Sequence, residues 1–244
     1  MVEWAQIVGS KGPLLTADGL CKAFARVPVL WPVSLRLEAG GSVAVFGPNG
    51  SGKTTLLRLL AGVSRPTSGT ASICGHQLAD ERRAAQSHVG FLGHDSYLYD
   101  DLTGEEHLQF FGRLRGLRFD RFELLGTLDI VGLGRAGRAR VKSYSSGMRR
   151  RLGLAWLLLA QPEVLLLDEP HVSLDRDGQE LVDELIRGAC RSGHALVVAS
   201  HDTDRVAQLC ERVVVLDRGR VVYEGLSLDW RRSGPLWTLG AAPG

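Results

Sequence analysis

Two hydrophobic rhythms divide the chain. Over the first ninety residues, short β-prone runs are punctuated by Gly and Pro. Residues 14–16, 33–37 and 43–46 read as strands, with Gly40-Gly41 as the turn feeding the third. Residues 70–74 and 88–92 read as further strands. After Leu92 the spacing turns helical. Thr103-Gly104-Glu105-Glu106 is a capping box, followed by Leu108, Phe111 and Leu114 on one predicted face and stopped by Gly116. Asp120 with Glu123 repeats the start signal ahead of Leu124, Leu125 and Leu128, and residues 146–160 predict a third helix. Residues 93–162 therefore read as a helical insertion in an α/β frame. The frame resumes at Val164-Leu165-Leu166-Leu167, a continuous apolar run expected of a strand buried on both faces. A helix over 177–191 follows, with Leu181, Leu185 and Ala189 on one face, then a strand over 195–199 ending at Ser200-His201. Residues 213–216 and 221–223, joined by Asp217-Arg218-Gly219-Arg220, predict a closing hairpin. The tail from Trp230 shows no clear element.

Composition adds mainly exclusions. A chain of 244 residues suits one large α/β domain or two small ones and needs no staples. A net charge of +2 is too small to argue for nucleic acid. Cys21, Cys74, Cys190 and Cys210 are scattered, as expected of reduced structural thiols. The first ten residues lack a signal-peptide pattern, and apolar-rich runs such as 152–160 fall far short of the ~20 residues a membrane span needs. Any membrane role is expected to come through a partner. No His-Glu-x-x-His or Cys/His spacing suggests zinc, and Arg135, Arg138, Arg140, Arg149, Arg150 and Arg151 read as a solvated face.

Candidate chemistry centres on Gly47-Pro48-Asn49-Gly50-Ser51-Gly52-Lys53-Thr54, which fits the phosphate-binding loop G-x-x-x-x-G-K-[ST] between a strand and a helix. Its glycines let backbone N–H groups turn inward into an anion nest, and the helix N-terminus adds partial positive charge. Lys53 is expected to reach the β/γ-phosphates and the Thr54 hydroxyl to sit on Mg²⁺, with Thr55 beside it. Asp168 closes a buried strand where α/β sheets bind ligands, and suits Mg²⁺ as a hard oxygen donor. Glu169 follows as candidate general base. Ser145, Ser146, Gly147 and Met148 open a helix, either as an ordinary N-cap or as a second phosphate-binding N-terminus.

The order of phosphate loop, helical insertion, Ser-Ser-Gly-Met, apolar-Asp-Glu and Ser-His resembles the nucleotide-binding domain of ATP-binding cassette (ABC) transporters from about Leu14 to Glu224. Resemblance implies an α/β fold: a P-loop NTPase (RecA-like) core with an antiparallel β subdomain and an inserted α-helical subdomain. Residues 1–92 and 163–229 would form the core and β subdomain, 93–162 the helical signature subdomain and 230–244 a tail. It implies hydrolysis of ATP with Mg²⁺ in a head-to-tail dimer, in which Ser145–Met148 of one chain close over the γ-phosphate held by the other. Here Ser146 and Met148 depart from the family's Ser-Gly-Gly-Gln. By the same match Asp175, in Ser173-Leu174-Asp175, belongs to the loop that crosses the dimer interface. His201 matches the histidine that contacts the γ-phosphate, and Phe24 matches the aromatic that stacks on adenine, with core packing as its alternative. Expected partners are integral membrane transporter subunits at the cytoplasmic face of the inner membrane, and no nucleic acid. Where the family usually carries Gln near Mg²⁺, this chain has Gly93-His94-Asp95; imidazole is a poor Mg²⁺ ligand, so His94 is expected to act through water or not touch the metal. Phe91-Leu92-Gly93-His94 resembles the haem-exporter ATP-binding subunits of cytochrome c maturation, which implies haem export. Another exporter's ATPase, or a soluble ABC ATPase, is the alternative. Tyr97, Leu98 and Tyr99 fall where the family docks its membrane subunit, or pack under the loop. A P-loop GTPase or kinase is disfavoured, because Asn-Lys-x-Asp is missing and Ser145–Met148 would be unexplained.

Overall fold

The computed structural model describes residues 4–7, 12–93 and 98–233. In chain order the elements are β1 (Leu15–Phe24), β2 (Val27–Leu37), β3 (Ser42–Phe46), α1 (Lys53–Leu60), β4 (Ser68–Ile73), β5 (His76–Gln77), α2 (Arg82–Ser87) and β6 (Val89–Leu92). The helical region carries α3 (Gly104–Leu114), α4 (Arg121–Ile130) and α5 (Ser146–Ala160). Then come β7 (Val164–Asp168), α6 (Arg176–Arg191), β8 (Ala195–Ala199), α7 (Thr203–Val206), β9 (Arg212–Asp217), β10 (Arg220–Leu226) and α8 (Ser227–Ser233). Among the described residues the strands form two sheets, ordered β2-β1-β4-β5 and β10-β9-β3-β8-β7-β6. The first is antiparallel. In the second, β9, β3, β8, β7 and β6 run parallel and β10 closes the edge antiparallel.

Every residue of β3, β7 and β8 is buried, as the continuous apolar runs require of parallel strands covered on both faces. Successive side chains alternate faces, so each strand feeds two cores. Ala44 and Phe46 join Leu152, Leu185 and Ile186 beneath α5 and α6. Val43 and Val45 join Leu56, Leu57 and Leu60 of α1, on whose other side lie Leu15, Leu30 and Ile73 of the small sheet. The helix that starts at the phosphate loop is thus held between two sheets, which fixes where its N-terminus points.

Several expectations are corrected. Residues 15–16 and 33–37 are only parts of longer strands, and Leu14 precedes β1: register shifts between Ala17 and Ala23 break the period-2 pattern, and β2 carries Pro28 and Pro32. Both capping boxes form, on Thr103/Glu106 and Asp120/Glu123. Of the three residues at helical spacing in α3, only Leu108 is buried; Phe111 is half-buried and Leu114 is 65% exposed. Both line an open groove with Arg115 and with Trp156 of α5, whose ring lies 5.8 Å from that of Phe111. Trp230, assigned to a structureless tail, lies in α8 and is buried with its ring 5.9 Å from Phe46 and 5.2 Å from Tyr223.

Candidate functional site

The phosphate loop leaves the buried end of β3 and is shaped by contacts only glycine allows. Gly47 has φ 148°, and a Cβ there would lie 2.1 Å from Leu216 O. Gly52, the N-cap of α1, has φ 105°, and its Cβ would meet Val29 O at 3.2 Å. A hydrogen bond from Gly219 N to Ser51 O (3.0 Å) ties the loop to the β9–β10 turn. Lys53, only 7% exposed, donates from Nζ to Gly47 O (2.7 Å) and Pro48 O (3.2 Å). Burial lowers its pKa, while the Glu169 and Asp168 carboxylates pull it upward. Ser51 Oγ is buried with no hydrogen-bond partner among the described residues. A buried hydroxyl left so is costly, and a phosphate oxygen in the loop would relieve it.

Facing the loop, β7 ends at the buried Asp168. Glu169 then turns with φ 48°, a left-handed conformation that costs a non-glycine residue about 1 kcal/mol or more. Its amide donates to Ala199 O at 2.8 Å. Its Oε2 accepts from Ser200 Oγ (3.3 Å) and His201 N (3.2 Å) and lies 2.8 Å from His201 Nδ1. Glu169 and His201, thirty-two positions apart, are thereby a hydrogen-bonded pair, with the His201 ring largely exposed. Ser200 is a site residue that the sequence reading passed over. Its buried hydroxyl also accepts from Asp202 N (3.0 Å), and its only signal was its place between a buried strand and His201.

A cleft of about 490 Å³ is lined by Val29, residues 49–55, Asp168, Glu169, Val172 and His201. Thr54 and Asp168 are oxygen donors of the kind Mg²⁺ prefers, and no cluster of three His, Cys, Asp or Glu among the described residues could hold a metal on its own. Such a site suits an ion that keeps water and takes phosphate oxygens for the rest of its shell.

Ser145, Ser146, Gly147, Met148, Asp175 and Phe24 do not line this cleft. Ser145 caps α5, its Oγ accepting from Met148 N at 3.2 Å, and with Ser146 it stands exposed at the helix tip. A Cβ on Gly147 would lie 2.6 Å from Ser173 O, so the tip lies directly against the segment after Glu169. That segment is anchored by His171 Nε2 on Asp183 Oδ1 (2.9 Å). It ends at Asp175, which caps α6 through Gly178 N (3.0 Å) and accepts from Arg151 of its own chain. The Gly178 amide, then Arg151, hold the Asp175 carboxyl below its usual range. Phe24 is 55% exposed at the end of the β1–β2 hairpin, with Lys22 Nζ 4.8 Å from its ring centroid; the core-packing alternative is excluded. His94 and Tyr97 lie outside the described residues.

The solvated-face reading of the arginines holds for Arg135, Arg138 and Arg140 and fails for the other three. The first turn of α5 packs between strand ends and α6, so consecutive side chains fan out at about 100° into protein rather than water. Arg149 pairs with Asp100 at 2.7 Å, Arg151 donates to Val131 O at 2.8 Å, and Arg150 is 5% exposed.

Known proteins agree with this geometry. Residues 30–172 match the family described as ABC transporter. The chain is 38% identical over 213 residues to the daunorubicin resistance ATP-binding protein DrrA3 of Streptomyces coeruleorubidus, covering 86% of this chain and 67% of that protein. It is 35% identical to the Nod factor export ATP-binding protein I of Ralstonia nicotianae, covering 87% and 67%. A dimeric ATP-binding cassette in a post-hydrolysis state, bound to ADP and Pi, superposes with a TM-score of 0.78 at 25% identity over 87% of this chain and 98% of that one. The cleft thus belongs to a P-loop ATPase. The chain is a member of the ABC transporter family, an ATP-binding subunit that hydrolyses ATP.

Proposed function

We propose that this subunit drives export through separate integral membrane subunits, as a head-to-tail dimer holding ATP and Mg²⁺ between two chains at the cytoplasmic face of the inner membrane. One observation carries the reading: Lys53, Thr54, Asp168, Glu169 and His201 line one cleft, while the Ser145–Met148 tip, exposed at Ser145 and Ser146, stands outside it. A single chain therefore presents half a site and half a lid. Lys53 and the loop amides of Gly47, Asn49, Gly50, Ser51, Gly52, Thr54 and Thr55 hold the phosphates, with Pro48 shaping the turn. Thr54 and Asp168 would hold Mg²⁺, which neutralises phosphate charge when bound. Glu169 accepts the proton of the attacking water, and His201, fixed by Glu169, aligns the γ-phosphate. Phe24 supplies a π face for adenine, and Asp175 and the Ser145–Met148 tip complete the partner's site. The dimeric cassette named above supports this arrangement. Glu169→Gln should bind ATP, fail to hydrolyse it and elute as a dimer in gel filtration with ATP; elution as a monomer only would reject the sandwich.

The membrane partner is supported by an exposed aromatic surface: Tyr99 and Phe110 stand edge to face at 5.3 Å beside the groove that Leu114 and Trp156 line. Among the described residues no helix is long and apolar enough to cross a membrane. Export of a drug or a signal molecule is favoured by relatives named for daunorubicin resistance and Nod factor export. Haem export is the second reading, and rests on Phe91-Leu92-Gly93-His94 ahead of Leu102-Thr103-Gly104-Glu105-Glu106. Deleting the gene separates them: raised drug susceptibility with normal c-type cytochromes supports the first, and lost cytochromes support the second.

A further inference from the structure

One guanidinium lies between the helix tip and the hydrolytic pair and takes no part in the chemistry above. Arg150 sits one turn into α5. Its Nη1 donates to Gly93 O at 2.7 Å, just past β6; its Nη2 donates to Asp168 O at 2.8 Å and also to Glu169 O. Three carbonyls from two neighbouring strand ends therefore converge on a side chain carried by a third element. The planar guanidinium offers its donors in a rigid fork, which sets the direction of each carbonyl as well as binding it. Burying this charge is costly unless it is hydrogen-bonded and balanced; the carbonyls supply the bonds, and the Asp168 and Glu169 carboxylates supply opposite charge.

The consequence falls on Glu169. The peptides on its two sides are both held, the N–H by Ala199 O of β8 and the C=O by Arg150 of α5. Left-handed backbone at a non-glycine residue persists only where the surroundings over-determine it. Here the two restraints come from different elements, and they aim the carboxylate at His201.

We propose that Arg150 is a positioning residue for hydrolysis: from the signature helix it holds the Asp168–Glu169 turn in the conformation that seats Glu169 against His201. The proposal rests on the assignment of Glu169 as the base. Arg150→Met keeps the apolar stem and removes every donor. In purified, folded protein it should lower kcat for ATP by about 100-fold, the effect of a misplacement near 1 Å, with KM within about threefold of the parent. Arg150→Lys keeps the charge and one donor group and should recover part of kcat at the same KM. The double variant Glu169→Gln/Arg150→Met should still dimerise with ATP, because loop and tip are untouched.

Arg150→Met with kcat within about threefold of the parent overturns the proposal. So does loss of the ATP-dependent dimer in the double variant, which would show that Arg150 supports the tip rather than the turn. If Arg150→Met does not fold, Arg150→Lys decides: lower kcat at unchanged KM supports the role, and unchanged kcat removes it. Glu169→Gln alone separates the layers. Continued hydrolysis by that variant defeats the assignment of the base. A dead Glu169→Gln beside a fully active Arg150→Met defeats only the role of Arg150.

Discussion

Lys53 Nζ rests on two carbonyls of its own loop, so the charge awaiting a phosphate is already in place before ligand arrives. Lys53→Ala should therefore bind ATP weakly and lose about 10²–10³ in hydrolysis rate, the scale set by removing one preorganised donor; steady-state turnover and fluorescent-nucleotide binding check it. His107 illustrates a residue whose worth depends on pH. It is 3% exposed, neither ring nitrogen has a hydrogen-bond partner among the described residues, and burial pushes its pKa down to about 4. A histidine with a depressed folded pKa lends stability above its unfolded value near 6.5, and that stability is lost as pH falls toward 4, because the unfolded chain binds the proton better. The full shift corresponds to roughly 3 kcal/mol. His107→Leu should flatten the acid side of the stability profile, and urea melts of both proteins at pH 7 and pH 4.5 measure the difference.

At the scale of elements, the helical region depends on its starts and on one close approach. Thr103→Ala removes the oxygen that accepts from Glu106 N and should cost about 1 kcal/mol in urea unfolding without changing ATP turnover. Gly147→Ala places a methyl 2.6 Å from Ser173 O and must shift the tip of α5. It should leave ATP binding to the single chain intact and lower hydrolysis about tenfold or more, as the proposed head-to-tail dimer requires of a tip that acts on the partner's nucleotide. Elements were legible where local signals agreed. The run from Val43 to Leu60 shows apolar strand, glycine turn and helix without help from distant residues. Residues 146–160 matched α5 end to end, and both capping boxes formed. The long strands β1 and β2 were under-read, since bulges and prolines obscure alternation that only pairing with each other restores. The spacing of Leu108, Phe111 and Leu114 showed a helix that α3 bears out, but spacing says which residues share a face, not whether a neighbour covers each one.

At the scale of the molecule, the two cores on either face of the large sheet fix α1 and α5 on opposite sides of β3 and β7, separating phosphate loop from signature tip. A head-to-tail dimer predicts complementation. Lys53→Ala and Gly147→Ala chains should each hydrolyse ATP at about a tenth of the parental rate or less, yet their mixed dimer contains one site with both defects and one with neither. Mixing equal amounts should restore about a quarter of parental activity, because half the dimers are mixed and each has one intact site of two. Absence of recovery in a turnover assay would argue that each chain completes its own site.

What the sequence alone determined was the local form of short contiguous segments: the phosphate loop between strand and helix, the strand end at Asp168 and Glu169, and the capped helix at Ser145. Those signals survive reading in one dimension because each motif supplies its own backbone geometry. Tertiary structure decided which distant groups meet. Glu169 against His201 and Ser200, Arg150 beneath the carbonyls of Gly93, Asp168 and Glu169, and Trp230 against Phe46 are long-range contacts, set by sheet order and by how each helix lies on the sheet. Arg149, Arg150 and Arg151 share one residue type and one stretch of chain. Packing gave them three different partners, and spacing along the chain holds no record of that choice.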